Sequence, residues 1–544
     1  MKDETTAIID RDPVTFEVVR SALYAICSEM KSVIMRTSFS PLLSLSADLS
    51  CALLDSSGGV VGQGKDIPVH LGAVPFTVRA AFKAFPVEKW RDGDGVIIND
   101  PYSGGTHLPD VSLIMPIFVG TVLCGFSLSR VHWPDVGGIA AGSSSVCDEI
   151  FKEGIRIPPL RIIEGGRPRS DILNLILANV RVPEDRHGDF RAQIAGAKRA
   201  ERRVQELAER YGTEVLAEVM RDSQTYSERL LRNRLGKLPD SVTEHEERLD
   251  GDGIDKASRP LIRVRIEKAG DNFRVDFTGS SSCVRGPVNA PFAVTASVVY
   301  YTLMAFAGGG IPPNSGVYNV AEIVAPEGTI VNASYPAAVV AANTETSNRM
   351  VDILLAALAK AYPDRVPAGS YGSACVYTLG GTDPRSDRRF VHYETIGGGA
   401  GASSEGPGAS GIRVHMGNTM NLPIEAVEAS LPIRFVAYEL VPQSGGAGLH
   451  KGGAGVRKCI EFLTDGIEAS VLGERTFSRA HGVSGGEEGS CARFTYRSSG
   501  GNAVVLEAKS GPHKFSAGDQ LDMLTAGGGG WGTKTMQKAA KGEI

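Results

Sequence analysis

One four-residue unit, H-x-P-D, occurs twice in this 544-residue chain, beginning at His107 and again at His132, 25 positions later. Between the copies lie two apolar runs of strand length, residues 111–117 and a second near Phe126. A strand that leaves one copy and a strand that returns to the other bring their ends together, so the spacing predicts two strands with both units at one end. The flanking residues are turn formers: Asn99, Asp100, Pro101, Gly104 and Gly105 before the first copy, Gly137 and Gly138 after the second. Both units are therefore expected on loops. Imidazole and carboxylate bind zinc or manganese at neutral pH, which makes this pair of loops the leading candidate for a metal site.

A catalytic metal usually takes three protein ligands and keeps one position for water. His107 and Asp110 on one loop, with His132 on the next, supply such a set. Asp48 lies in an expected strand, residues 45–54, that is otherwise small and apolar. A carboxylate there is paired, hydrogen-bonded, turned to solvent at an edge, or a fourth ligand. Asp135 remains as an orienter of a ligating histidine or as a general base. His70 reads either as a capping or core histidine or as part of the pocket wall, and with Asp135 it completes the candidate catalytic pair. A purely structural ion is the competing reading. Tyr102 and Trp133, an aromatic beside each ligand loop, favour a pocket.

Composition excludes several classes. The net charge of −5 shows none of the basic surplus of a nucleic-acid-binding chain. No run of about 18 apolar residues offers a membrane span, and the acidic start has no apolar segment of the signal-peptide kind. The eight cysteines are scattered without a C-x-x-C pair, so reduced thiols in a cytoplasmic protein are expected. Glycine is abundant at 65 residues and clustered, as at 308–310, 397–401 and 527–530. Apolar segments between the clusters argue for tight turns and closely packed backbone. The cluster after residue 396 matches neither G-x-x-x-x-G-K-[ST] nor G-x-G-x-x-G in a strand-to-helix setting, so no ATP-binding motif is visible.

The fold class expected is α+β and multidomain, with mixed sheets, packed helices and a β-rich C-terminal domain. The divisions are residues 1–180 for a metal-binding α/β region, 181–245 for a charged helical segment, 246–430 for a central α/β region and 431–544 for the β-rich part. Residues 13–36 carry an apolar stripe at helical spacing that includes Val14, Val18, Val19, Leu23, Ile26, Met30 and Val33. A helix is expected near 74–85 and a charged helical stretch over 185–234, interrupted at Tyr211-Gly212. Its Lys198, Arg199, Arg202, Arg203 and Arg210 interleave with glutamates at pairing distance and read as a solvated face. A hairpin is expected over 261–277, and Asn343 to Asn348 reads as a cap for a helix running through Ala361.

Several stretches together resemble the hydantoinase B/5-oxoprolinase family, the B subunits of ATP-dependent hydantoinases, oxoprolinases and lactamases, with related large subunits in the acetone and acetophenone carboxylases. They are Ser46-Ala47-Asp48-Leu49-Ser50, His70-Leu71-Gly72, Asn99-Asp100-Pro101-Tyr102 with Gly105-Thr106-His107-Leu108-Pro109-Asp110, and His132-Trp133-Pro134-Asp135-Val136-Gly137-Gly138. Further on come Glu345-Thr346-Ser347-Asn348-Arg349, Ser444-Gly445-Gly446-Ala447-Gly448 with Gly452-Gly453, and the glycine run into Trp531-Gly532. The resemblance implies a divalent ion on Asp48, His107, Asp110 and His132, promoting Asp48 over Asp135 as the fourth ligand. It also implies that ATP is bound by a separate hydantoinase A-type subunit in a heterotetramer or larger hetero-oligomer. That subunit phosphorylates the carbonyl oxygen of a lactam, hydantoin or ketone. The expected function is the B subunit of an ATP-dependent cyclic amide hydrolase. The alternatives are the large subunit of a ketone carboxylase and a metal-stabilised scaffold subunit. The ring opened, the metal and the stoichiometry are left undetermined at this level.

Overall fold

In the computed structural model, which describes residues 7–533, four sheets carry helices against them, an α+β architecture. The first sheet positions the H-x-P-D units. Its strands are β1 (Leu49–Asp55), β2 (Val60–Gln63), β3 (Gly95–Ile98), β4 (Asp110–Val119), β5 (Val122–His132), β6 (Leu160–Glu164) and β7 (Arg167–Pro168), in the order β2-β1-β5-β4-β3-β6-β7. Every neighbouring pair is antiparallel.

The strands β4 and β5 form the hairpin that the spacing predicts. Two residues join them, and Gly120 at φ 59° supplies the positive φ that a tight hairpin turn requires. The register pairs Asp110, the first residue of β4, with His132, the last of β5. On the other side of β5, Leu49 pairs with Val131, so the start of β1 lies beside the end of β5. The strand begins at Leu49, not near residue 45, because Pro41–Ser44 forms a short helix and Ala47 turns the chain at φ 56°. Asp48 thus stands just ahead of the strand, its carbonyl accepting from the His132 amide at 3.1 Å.

Helices cover this sheet. Pro13–Thr37 is capped by Asp12, which accepts from the Thr15 amide at 3.1 Å. It buries Phe16, Val19, Leu23, Ile26, Met30 and Ile34, whereas Val14 is 72% and Val18 47% exposed. The buried stripe is therefore rotated from the expected one: Phe16 and Ile34 replace Val14 and Val18, since the large side chains reach the sheet. Pro183–Tyr211 and Thr213–Leu235 form the charged pair of helices, broken where Gly212 takes φ 88°. Arg202 pairs with Glu206 at 3.2 Å along the surface, as expected. Arg199 and Arg203 instead reach across to Glu29 on the first helix, at 2.7 and 3.2 Å, so this part of the face is an interhelical clamp. The buried Gln193 side chain donates to the carbonyls of Val111 and Ser129 at 3.2 and 3.4 Å, fixing the long helix to the hairpin.

The helix carrying His70 runs over Pro68–Ala84, earlier than the expected 74–85, which puts His70 in its first turn. It lies against the buried helix Phe292–Ala307. A Cβ at Gly72 would stand 2.5 Å from the Ser297 Cα, so only glycine permits this approach. Hairpin Leu261–Ala269/Asn272–Asp276 forms as expected within a four-stranded sheet. Another sheet joins Val376–Asp383 to Ile467–Leu472, with Val376 opposite Leu472, and so crosses residue 430. The glycine clusters pack backbone to backbone. Gly446 donates to the Gly528 carbonyl at 2.8 Å and Gly453 to that of Ala400 at 2.9 Å. A Cβ on Gly399 would fall 2.1 Å from the Gly453 oxygen. Buried arginines tie these parts together: Arg349 pairs with Glu474 at 2.9 Å and Arg475 with Asp352 at 2.7 Å.

Candidate metal centre

Asp110 is the hub of a buried cluster at the open end of the β4–β5 hairpin. Its Oδ1 lies 3.0 Å from His107 Nε2 and 3.4 Å from His132 Nδ1, and its Oδ2 lies 3.2 Å from His70 Nε2. One ligand atom from each of His107, Asp110 and His132 falls within 4.8 Å of the others, and all three residues are buried. The hairpin register and the tight turn before Asp110 create this convergence. His107, three residues ahead of Asp110 on the same loop, folds back over it, and the Asp110 amide donates to the His107 carbonyl at 3.1 Å.

The surrounding contacts set how these groups face one another. His107 Nδ1 is 3.3 Å from the Val340 carbonyl oxygen, a contact that orients the ring so that Nε2 faces Asp110. The Thr106 hydroxyl donates to Asp110 Oδ2. Asp110 Oδ1 finds no hydrogen-bond donor, and neither does His132 Nε2 find a partner. A buried carboxylate oxygen without a hydrogen-bond partner, flanked by ring nitrogens at 3.0 and 3.4 Å, is an arrangement that a divalent ion satisfies. The donor set, nitrogen and carboxylate oxygen, suits zinc or manganese. The residues present therefore fit such an ion.

Electrostatics agree with the geometry. Burial works against the charge on Asp110, but the imidazoles of His107 and His70 outweigh it and hold its carboxyl well below the usual range. Burial, reinforced by Asp110, pushes Asp48 up to about 8. Burial lowers His132 to about 4, and it lowers His70 as well, against the pull of Asp110. Lowered imidazoles at His70 and His132 beside a carboxyl raised by burial and by Asp110 suit a site whose ligands give up their protons when a cation binds.

Asp48 is outside the tight set of three but lines the same small cavity, of about 40 Å³, as His70, His132, Asn343, Tyr393 and Arg413. His70 belongs to this wall and is braced by the Ser50 hydroxyl, 3.2 Å from its Nδ1. Asp135, expected as an orienter or a general base, is placed elsewhere. Its carboxylate pairs with the Arg181 guanidinium at 3.2 Å and accepts from the backbone amides of Gly137, Arg181 and Val182. It anchors the chain entering the Pro183–Tyr211 helix. A much roomier cavity, about 810 Å³ beside Phe76, Tyr102 and Tyr335, includes none of the clustered histidines.

Sequence reasoning missed two residues beside the cluster. Asn343, read as a helix cap, sits in a π-helical turn, Ala342–Thr346, ahead of the helix Ser347–Ala359. Its Nδ2 is 3.2 Å from His107 Nε2 and donates to Asp110 Oδ2 at 3.4 Å. The π turn is the feature that turns it inward, and such turns concentrate at functional sites. Tyr393 packs its ring on His132, centroids 4.2 Å apart. Nothing in its local pattern, a strand residue before a glycine cluster, marks it.

Comparison with known proteins extends this picture. The family model described as Hydantoinase B/oxoprolinase matches residues 12–534. The chain is 34% identical to 5-oxoprolinase 1 of Arabidopsis thaliana over 96% of its own length and 42% of that protein's. It is 31% identical to the caprolactamase subunit beta of Pseudomonas jessenii, over 96% of this chain and 91% of the subunit. It thus spans less than half of the plant oxoprolinase but nearly all of the bacterial subunit. The crystal structure of the ATP-dependent caprolactamase from Pseudomonas jessenii superposes with a TM-score of 0.87 at 27% identity, covering 98% of this chain and 94% of that one. A nucleotide-free acetone carboxylase shares the fold, with a TM-score of 0.88 at 19% identity over 97% of this chain and 77% of that one. The chain belongs to the hydantoinase B/oxoprolinase family.

Proposed function

We propose that this chain is the metal-bearing B subunit of an ATP-dependent cyclic amide hydrolase, opening a lactam, hydantoin or 5-oxoproline ring. The observation that carries the reading is the buried trio His107, Asp110 and His132, with an unmatched Asp110 oxygen 3.0 Å from a histidine nitrogen. Asp48 serves as the fourth ligand, its carboxyl raised by burial and further by the charge of Asp110. A zinc or manganese ion held there supplies Lewis acidity toward a carbonyl oxygen and acidifies water.

The chain's own residues do the rest. Thr106, His70 and Asn343 fix the Asp110 carboxylate from three sides, and Val340 orients the ring of His107. Tyr393 covers His132 and keeps water away from that face. We assign His70, on the cavity wall, to the catalytic machinery through the proton relay that Ser50, its imidazole and Asp110 form, with contacts of 3.2 Å on either side of the ring. Asp135 we assign to holding the loop, not to proton transfer.

An amide is a poor electrophile, and phosphorylation of its oxygen supplies a leaving group. The sequence has no phosphate-binding loop of the G-x-x-x-x-G-K-[ST] kind, so we assign ATP to a separate hydantoinase A-type subunit in a cytoplasmic hetero-oligomer. No helix among the described residues is long and apolar enough to cross a membrane. The test is to co-purify the chain with that subunit, measure its metal, and assay 5-oxoproline, hydantoin and caprolactam with and without ATP. Ring-opened acid formed only with ATP and metal is the expected result. ATP use that needs bicarbonate and a ketone would make the complex a carboxylase. Full activity of His107→Ala after metal loss would leave a scaffold.

A further inference from the structure

One wall of the metal-centre cavity is not used by the metal reading. Arg413 lines it with Tyr371, Thr395 and Thr419. Its guanidinium donates to the Thr395 hydroxyl at 3.0 Å, to the Thr395 carbonyl and to the Asn421 side-chain oxygen. All three acceptors are neutral, and among the described residues no carboxylate forms an ion pair with it. Arg349 and Arg475, by contrast, are each matched to carboxylates. Arg413 is close enough to act on Asp48 electrostatically yet is bonded to neither Asp48 nor Asp110. Beside it Tyr371 is 1% exposed, and the Val414 backbone reaches its hydroxyl oxygen but no acceptor meets its O–H. A buried hydroxyl without an acceptor is rare in folded chains and asks for a ligand atom. Ile412 and Met420, next to Arg413 and Thr419 in the chain, are 41% and 50% exposed, so the segments that carry this wall reach the surface.

A guanidinium with neutral acceptors but no carboxylate counter-charge, and a phenol O–H without an acceptor on the same wall, can both turn donors to an anionic oxygen, and the planar fork of arginine suits carboxylate and phosphate. The geometry points to Arg413 as a specificity-determining residue that, with the Tyr371 hydroxyl, binds an anionic oxygen group carried by the substrate. That group has two possible sources: a carboxylate on the ring, or the phosphoryl group of the activated amide. The inference rests on the reading of this cavity as the active site of a cyclic amide hydrolase.

Isothermal titration of the full chain with 5-oxoproline, with its uncharged counterpart 2-pyrrolidinone and with inorganic phosphate tests it. The wild type is expected to bind at least one anion about tenfold more tightly than 2-pyrrolidinone. Arg413→Gln, which keeps a donor for Thr395 without the charge, should weaken that anion by about ten- to a hundredfold and 2-pyrrolidinone by less than about twofold. Loss confined to 5-oxoproline identifies the ring carboxylate, and loss of phosphate binding identifies the phosphoryl group. Tyr371→Phe, which removes one oxygen, should cost the same anion about three- to tenfold and decides the matter if Arg413→Gln does not fold. Wild-type affinity for the anions in a folded Arg413→Gln, or in Tyr371→Phe alone, overturns the proposal. So does a wild type that fails to distinguish anion from neutral ring. A wild-type complex that binds the anion but never opens a ring with ATP removes the hydrolase reading and leaves the anion site standing.

Discussion

Asp110 and His132 face each other across a single hairpin, the first residue of one strand in register with the last residue of the next, Oδ1 to Nδ1 3.4 Å. The backbone ladder therefore fixes two of the proposed ligands before any side chain packs. A one-residue slip of either strand would turn its ligand to the other face of the sheet and part the pair.

Asp110→Asn keeps the shape of the hub and removes its charge. Divalent metal in the purified complex should fall below about a tenth of wild type and turnover by more than about a thousandfold. Elution of the complex should be unchanged by size-exclusion chromatography. Failure to assemble would assign the cluster to structure.

Asp48 is the ligand that reaches the cluster from outside the hairpin. Asp48→Asn should weaken the ion by about 10- to 100-fold, measured by competition with a chelating indicator. Unchanged affinity would reduce the proposed set to His107, Asp110 and His132.

Asp135→Asn should leave metal content at the wild-type level, because its carboxylate is committed to Arg181 and the amides of Gly137 and Val182. Loss of these buried, charge-assisted bonds should lower stability by about 2 kcal/mol, read by chemical denaturation. Metal loss on elemental analysis would return Asp135 to the ligands.

The pH dependence follows from carboxyls raised by burial. In the metal-free protein Asp48, Glu153 and Glu345 each stand at about 8, above their unfolded values. Between pH 6.5 and 8 the unfolded chain has already lost these protons while the folded one still holds them. Stability of the metal-free protein should therefore fall as pH rises through this window. The lowered histidines act only below about 6.5 and do not offset it. Metal binding requires the charged form of Asp48, so apparent affinity should rise toward pH 8 with proton release, measured by titration calorimetry in buffers of different ionisation enthalpy. A flat profile in the wild type, equal to that of Asp48→Asn, would exclude Asp48.

The residues alone determine a good deal of this protein. Two copies of H-x-P-D separated by strand-length apolar runs specify a hairpin with His107, Asp110 and His132 at one end, because side-chain alternation and turn chemistry are local. The helix after Asp12 and the close packing of the glycine clusters are legible for the same reason. The resemblance already sets Asp135 apart from Asp110, but only the tertiary structure gives the physical reason. Asp110 opens a strand and turns into the cluster, whereas Asp135 lies past the end of one and is taken up by Arg181. It also moves Asp48 out of its strand, winds Asn343 into a π turn over His107, and brings Tyr371, Tyr393 and Arg413 from more than two hundred residues away to the same cavity. Such convergence depends on how sheets and helices pack. Packing energy is spread over many distant contacts and leaves no periodicity in any one stretch of chain.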